Sequence, residues 1–300
     1  MMIDTDHPER ILLPQVRRVR GYRLYLNDGR RMVDLWQQGG NAILGHTPPG
    51  ILLSLKNNAS RGLFSPFPSI WERRFAKALG RLHPMFPGVR FYPDKEAAQD
   101  ALNRSGLGSY PLASLKDPAF GDRDENVQVI LWRPWIGVAP NQASPRDPVP
   151  NAQNSQTGES CYTGAVVLVP VIPLPFPGLP VAFLLHPALE RTFPISSTCS
   201  PLILAAATRA LDDLLAELPK REHARFRRVD SVLLACNGYW KRTGDYLAWY
   251  GEVGTYRQLW SRFLAGGFLL PPTPDLPLIL PGELSEGEES ALATLLAACV

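Results

Sequence analysis

The chain has 300 residues, 45% hydrophobic and 20% charged, the make-up of a globular protein with enough apolar surface for a sizeable core. A net charge of +3 is too small to point to nucleic acid or an anionic membrane as partner. Its 30 prolines are about twice the usual share and imply many turns and interrupted elements.

A hairpin opens the chain. Tyr22 to Leu26 alternates, Asn27-Asp28-Gly29 supplies the turn, and Arg31 to Trp36 alternates back. The run Arg17-Arg18-Val19-Arg20 before it reads as a solvated strand face. A glycine-rich loop from Gly39-Gly40 to Gly45-His46 leads to Pro48-Pro49 and a helix through Ser60. A second helix is predicted over Pro68–Leu82, with Ile70, Trp71, Phe75, Leu79 and Leu82 as its buried stripe. Then come a strand over Val89–Tyr92 and a helix capped by Asp94.

Buried strands are expected over Val127–Trp132 and Ala165–Val171, separated by a Pro/Asn/Gln-rich insertion over 139–160. From Val171 the chain is expected to pass almost directly into the block that starts at Thr198. Helices are predicted at Pro201–Leu218, Thr255–Ala265 and Glu286–Ala298, the last opened by the Ser285/Glu288 capping box. Strands are predicted at Val232–Ala235 and Leu276–Leu280.

Cys161, Cys199, Cys236 and Cys299 have no C-x-x-C pair and no histidine at zinc-ligand spacing, so free thiols in a reducing compartment are expected, and no metal site. The N-terminus carries acids where a signal peptide needs bases. The most apolar stretch, Gly164 to Leu185, holds five prolines that would break a membrane helix. These features point to a cytoplasmic protein outside the membrane.

Two blocks carry a resemblance. The first is Val19-Arg20-Gly21, Arg23-Leu24-Tyr25, Asp28-Gly29-Arg30 and Val33-Asp34-Leu35, continuing through Gly39-Gly40, Ile43-Leu44-Gly45-His46 and Pro49. The second is Thr198-Cys199-Ser200-Pro201, Ala205-Ala206-Ala207, Gly254-Thr255-Tyr256, Gly266-Gly267, Leu270-Pro271-Pro272 and the acidic helix start Ser285–Glu289. In this order they resemble the class-III, pyridoxal-phosphate-dependent aminotransferases, especially the glutamate-1-semialdehyde aminomutase branch, in truncated and degenerate form. The resemblance implies an α/β chain of shortened fold-type-I architecture with a reduced central sheet. The expected division is a hairpin segment of the small domain (1–48), a reduced large α/β domain (49–200) and a C-terminal α+β small domain (201–300).

The resemblance also implies pyridoxal phosphate as cofactor, and here the residues depart from the family. The family's phosphate-binding turn falls on Phe91 to Ala97, where Pro93 lacks an N–H, Asp94 brings a carboxylate toward a phosphate, and Lys95 starts a helix. The ring-stacking position falls near Trp135. Pro93, Asp94, Lys95 and Trp135 are therefore the degenerate cofactor-binding positions. No catalytic residue is identified, because no lysine lies between Lys116 and Lys220 to form the internal aldimine. Lys220 and Lys241 read as solvated.

The expectation is a catalytically inactive aminotransferase-like protein acting as a dimerising or regulatory partner. Family members are dimers, which implies a homodimer or a heterodimer with a full-length relative. The alternative is a residual transaminase or aminomutase, or a binder of pyridoxal phosphate or an amino acid.

Overall fold

The computed structural model describes residues 15–121, 127–136, 164–221, 226–235 and 238–298. The insertion expected over 139–160 lies outside them, as do Cys161, Cys236, Cys299 and the Lys220 side chain.

Strands β1 (Val16–Arg20), β2 (Arg23–Leu26) and β3 (Arg31–Asp34) form an antiparallel meander. Its turns need Gly21 (φ +55°) and Gly29 (φ +86°), a backbone region that strains residues with a Cβ. Period-two alternation sends Leu24 and Leu26 into the core and leaves Arg23 and Tyr25 half-buried on the other face. A strand from the far end of the chain, β10 (Phe268–Leu269), pairs in parallel with β3 and completes this sheet.

Helix α1 (Pro49–Ala59) begins with proline at its first position, where the missing N–H would have had no helical partner. Helix α2 (Ile70–Leu79) is capped by Ser69, which accepts from the Trp71 N–H. Phe75 and Leu79 are fully buried, and Phe75 meets Phe91 edge-on at 5.4 Å. Burying a side chain of that size contributes about 1.5–3 kcal/mol. Ile70 corrects the expected stripe: it is the first residue of α2 and is 63% exposed.

The central sheet has the order β4-β7-β6-β5, made of β4 (Gly88–Tyr92), β5 (Val129–Trp132), β6 (Val167–Pro170) and β7 (Val181–Leu185). β7 is antiparallel to both of its neighbours, and β5 runs parallel to β6. β7 lies in the stretch between Val171 and Thr198, which was expected to pass almost directly from one block to the next. The prolines at 173, 175, 177 and 180 belong to the turn before it, while Val181–Leu185 is a proline-free apolar run of five residues. α3 (Lys95–Arg104) follows β4, and α4 (Pro201–Arg221) packs across α1 and α2. α4 runs past Leu218 through Pro219, which sits in its last turn.

The strand expected over Val232–Ala235 is instead the end of helix α5 (Arg227–Ala235). Phe226, Val229 and Leu233 recur at three and four and turn inward, whereas Leu234 is 90% exposed, a helical period hidden in a short apolar run. A hairpin, β8 (Trp240–Thr243) and β9 (Tyr246–Trp249), pairs with β11 (Leu278–Ile279) in a third sheet. α6 (Tyr256–Ala265) and α7 (Glu286–Ala297) complete the fold. α7 carries the expected capping box, with Ser285 and Glu288 each bonding the other's backbone N–H.

One core lies on the helical side of the central sheet around Phe75, Phe91, Trp132 and Leu211. A second on the opposite side gathers Tyr92, Leu102, Phe183 and Phe193. A third joins the meander to the C-terminal helices through Leu24, Met32, Trp240, Phe263 and Leu292.

Candidate functional site

β4, β5 and β6 point the same way, so their C-terminal ends open on one edge of the sheet, the place where open α/β sheets bind ligands. Arg133 follows β5 there and is 2% exposed. Its Nε and Nη2 donate to the two Asp117 carboxylate oxygens at 2.7 and 2.6 Å, and Nη1 donates to the Gly39 carbonyl at 2.8 Å. The guanidinium lies 5.2 Å from the Tyr246 ring centre. Burial opposes its charge, yet the Asp117 carboxylate together with Tyr246 more than offsets that and raises the pKa.

The loop over this node is strained. Among the described residues, the non-glycine positions with positive φ are Gln37 (+47°), Gln38 (+51°) and Trp135 (+60°), and all three belong to this edge. Each left-handed residue of that kind costs roughly 1–2 kcal/mol. Asp34 holds the loop by accepting from the Trp36 and Gln37 N–H groups, while its other oxygen meets His46 Nε2 at 2.8 Å. Gln37 donates to the Ile279 carbonyl, and Asn41 to the Ile172 carbonyl beyond β6. A Cβ at Gly40 would stand 3.2 Å from Val171 and 3.3 Å from Arg133 Nη1, so this edge is closely packed.

Of the predicted positions, Pro93, Asp94 and Lys95 are exposed beyond β4. The Asp94 carboxylate accepts the Ala97 N–H at 2.8 Å and so occupies the positive end of α3. Trp135 lies past β5, half-buried, with Nε1 donating to the Leu218 carbonyl at 3.1 Å. β4 and β5 are the two outer strands, about 14 Å apart at the usual strand spacing, so the structure does not bring Trp135 to the Pro93–Lys95 turn. Cys199, near Asp94, is no nucleophile: burial and the Glu72 and Asp94 charges push its thiol up to about 12.

The sequence reading missed Arg133, Asp117, Gln37 and Tyr246. One signal was present: an arginine set in Val-Ile-Leu-Trp-Arg-Pro-Trp would be buried with its strand and so would require an acid. Which acid it takes could not be read. Lys56, Lys77, Lys95 and Lys241 are exposed; Lys116, beside Asp117, is half-buried.

No protein-family model matches this chain. An uncharacterised protein of Treponema pallidum is 27% identical over 293 residues, covering 89% of each chain. An uncharacterised protein of Borreliella burgdorferi is 40% identical over 99 residues, 33% of this chain and 37% of that one. A glutamate-1-semialdehyde 2,1-aminomutase of Sorangium cellulosum is 33% identical over 75 residues, 25% of this chain and 17% of the enzyme. Among solved structures, ornithine δ-aminotransferase of Plasmodium falciparum matches with a TM-score of 0.66 at 15% identity, covering 95% of this chain and 92% of that one. N-acetylornithine aminotransferase of Stenotrophomonas maltophilia matches at 0.60 and 16% identity, covering 97% and 96%. A transaminase with PLP bound matches at 0.58 and 14%, covering 95% and 90%. The chain therefore has the aminotransferase fold.

Proposed function

On the premise of that fold, we propose that the chain is an aminotransferase-like protein without transaminase activity, retained for association with a second copy of itself. The observation that carries this reading is the closed node at the C-terminal edge of the central sheet. Arg133, Gly40 and Val171 pack closely there, and each of the three nitrogens of the Arg133 fork donates a hydrogen bond to Asp117 or Gly39.

The residues do not fit the phosphate of pyridoxal phosphate. The first-turn N–H that would bind an oxyanion is taken by Asp94, whose negative charge would repel one, and Pro93 offers no N–H at all. The Trp135 indole is committed to Leu218. No described lysine is deeply buried, the setting that lowers an amine's pKa for Schiff-base chemistry.

A second reading, a binder of amino acids, rests on Arg133, since a guanidinium fork is the group that takes a carboxylate. Asp117 already holds that fork in bidentate fashion.

Titration of the purified chain with pyridoxal phosphate tests the leading reading. The expected spectrum has no visible band that borohydride removes, and glutamate is not converted to 2-oxoglutarate. A borohydride-sensitive band or steady turnover would overturn it.

A further inference from the structure

Beyond that reading, we infer that the outer face of the N-terminal meander is a binding site for a small phosphate-bearing anion. The register places Arg20 opposite Arg23, Arg18 opposite Tyr25, and Tyr25 opposite Arg31. Directly paired residues point to the same side, so four arginines surround one tyrosine on a single face. Arg20, Arg23, Tyr25 and Arg31 line a cleft of about 460 Å³ with Gly21, Thr47 and Glu283. That volume lies within the range of small-ligand pockets.

Charge makes the face unusual. Like charges placed directly opposite on neighbouring strands destabilise a sheet, and Arg20 with Arg23 is such a pair. Glu288 offsets part of this: it takes Arg23 in bidentate fashion at 2.9 and 2.7 Å and meets Arg31 at 3.2 Å. Glu283 at the rim is the other acid. Arg20 has no ion-pair partner among the described residues, and Arg18 stacks over the Tyr25 ring at 4.3 Å. Among the described residues, four guanidiniums thus face two carboxylates, which leaves an excess that a dianion would neutralise.

The donor chemistry fits phosphate. Arginine forks match phosphate oxygens bidentately, and Tyr25 and Thr47, which carry hydroxyl donors, are among the lining residues. Glu288 already takes the Arg23 fork, so Arg23 forms a fixed wall of the cleft and the forks left for an anion are those of Arg20 and Arg31. The opposite face of the meander is buried in the third core, which fixes the spacing of the arginines.

Isothermal titration of the full chain with inorganic pyrophosphate at low ionic strength tests the site. Saturable binding is expected, weakened about tenfold or more by Arg20→Gln and by Arg31→Gln. Arg104→Gln on α3 should bind as the parent does. Circular dichroism of each variant checks that the fold is kept; both residues are exposed, and Arg20 has no ion-pair partner among the described residues. The inference is overturned if the parent shows no saturable heat, if both cleft variants bind undiminished, or if Arg104→Gln weakens binding equally. Succinate binding as tightly as pyrophosphate would overturn the phosphate assignment. A seated anion produces no visible band, so this result is independent of the pyridoxal phosphate spectrum.

Discussion

Asp117 is the residue whose loss should be felt most. With only about a tenth of its side chain exposed, it neutralises a guanidinium 98% removed from solvent. Breaking a buried pair on one side costs about 3–5 kcal/mol, because the partner charge stays buried without compensation. Urea unfolding of Asp117→Asn should show a fall of that size, and Arg133→Met with Asp117→Leu should recover most of it. A loss under 1 kcal/mol would mean that water reaches the pair. Glu288 governs acid stability. The Arg23 side chain, followed by the Ser285 backbone and hydroxyl, holds its pKa down from 4.5 to about 2. A depressed carboxylate stabilises the fold above its unfolded pKa, and that contribution fades as pH falls from about 4.5 toward 2. Glu288→Gln should therefore have a lower Tm at pH 7 and a flatter Tm profile across that window. An unchanged acid limb would argue against it. Neither pair was legible beforehand. Asp117 and Arg133 lie 16 positions apart and Arg23 and Glu288 lie 265 apart, and the side chains meet only because a sheet edge and a helix start converge.

At the scale of elements, sequence was most informative where a local rule is sufficient. The α7 capping box is such a case, because its two hydrogen bonds span only three residues. Ser285→Ala should cost about 1 kcal/mol in thermal or urea unfolding, and Ser285→Gly less. Equal losses for both would show that the hydroxyl contributes nothing. The Asp94 cap and the strand ends around β4 and β5 were legible for the same reason. Two elements were not. α5 presents four apolar residues in a row at its end, a pattern that strand and helix share, and only its packing on α7 decides for helix. β7 was hidden by the prolines in front of it, although it lies between β4 and β6 and joins β4 to the rest of that sheet.

At the scale of the molecule, several large apolar side chains are left exposed among the described residues. Leu52 and Leu53 on α1, Phe64 and Phe67 in the following loop and Ile70 at the start of α2 are each between 58% and 69% exposed. The loop is anchored rather than loose: Leu202 N–H reaches the Leu63 carbonyl and the Ser200 hydroxyl reaches that of Phe64. Clustered apolar area of this kind marks an association surface, and a twofold pairing of the same patch is the simplest closed solution. Light scattering should find a dimer, and Leu53→Glu should shift it toward monomer while leaving the helical signal intact. A parent that stays monomeric at high concentration would sink the association half of the proposed function.

The parallel pairing of β10 with β3 has a consequence for biosynthesis. A ribosome delivers the meander well before Phe268–Leu269, so the β3 edge that bonds Gly267 and Leu269 has only water until those residues emerge. During that interval Leu24, Leu26 and Met32 lack the helices that shield them. A nascent chain halted upstream of Phe268 would thus present a bare strand and an oily underside, the features that chaperones capture and that seed aggregates.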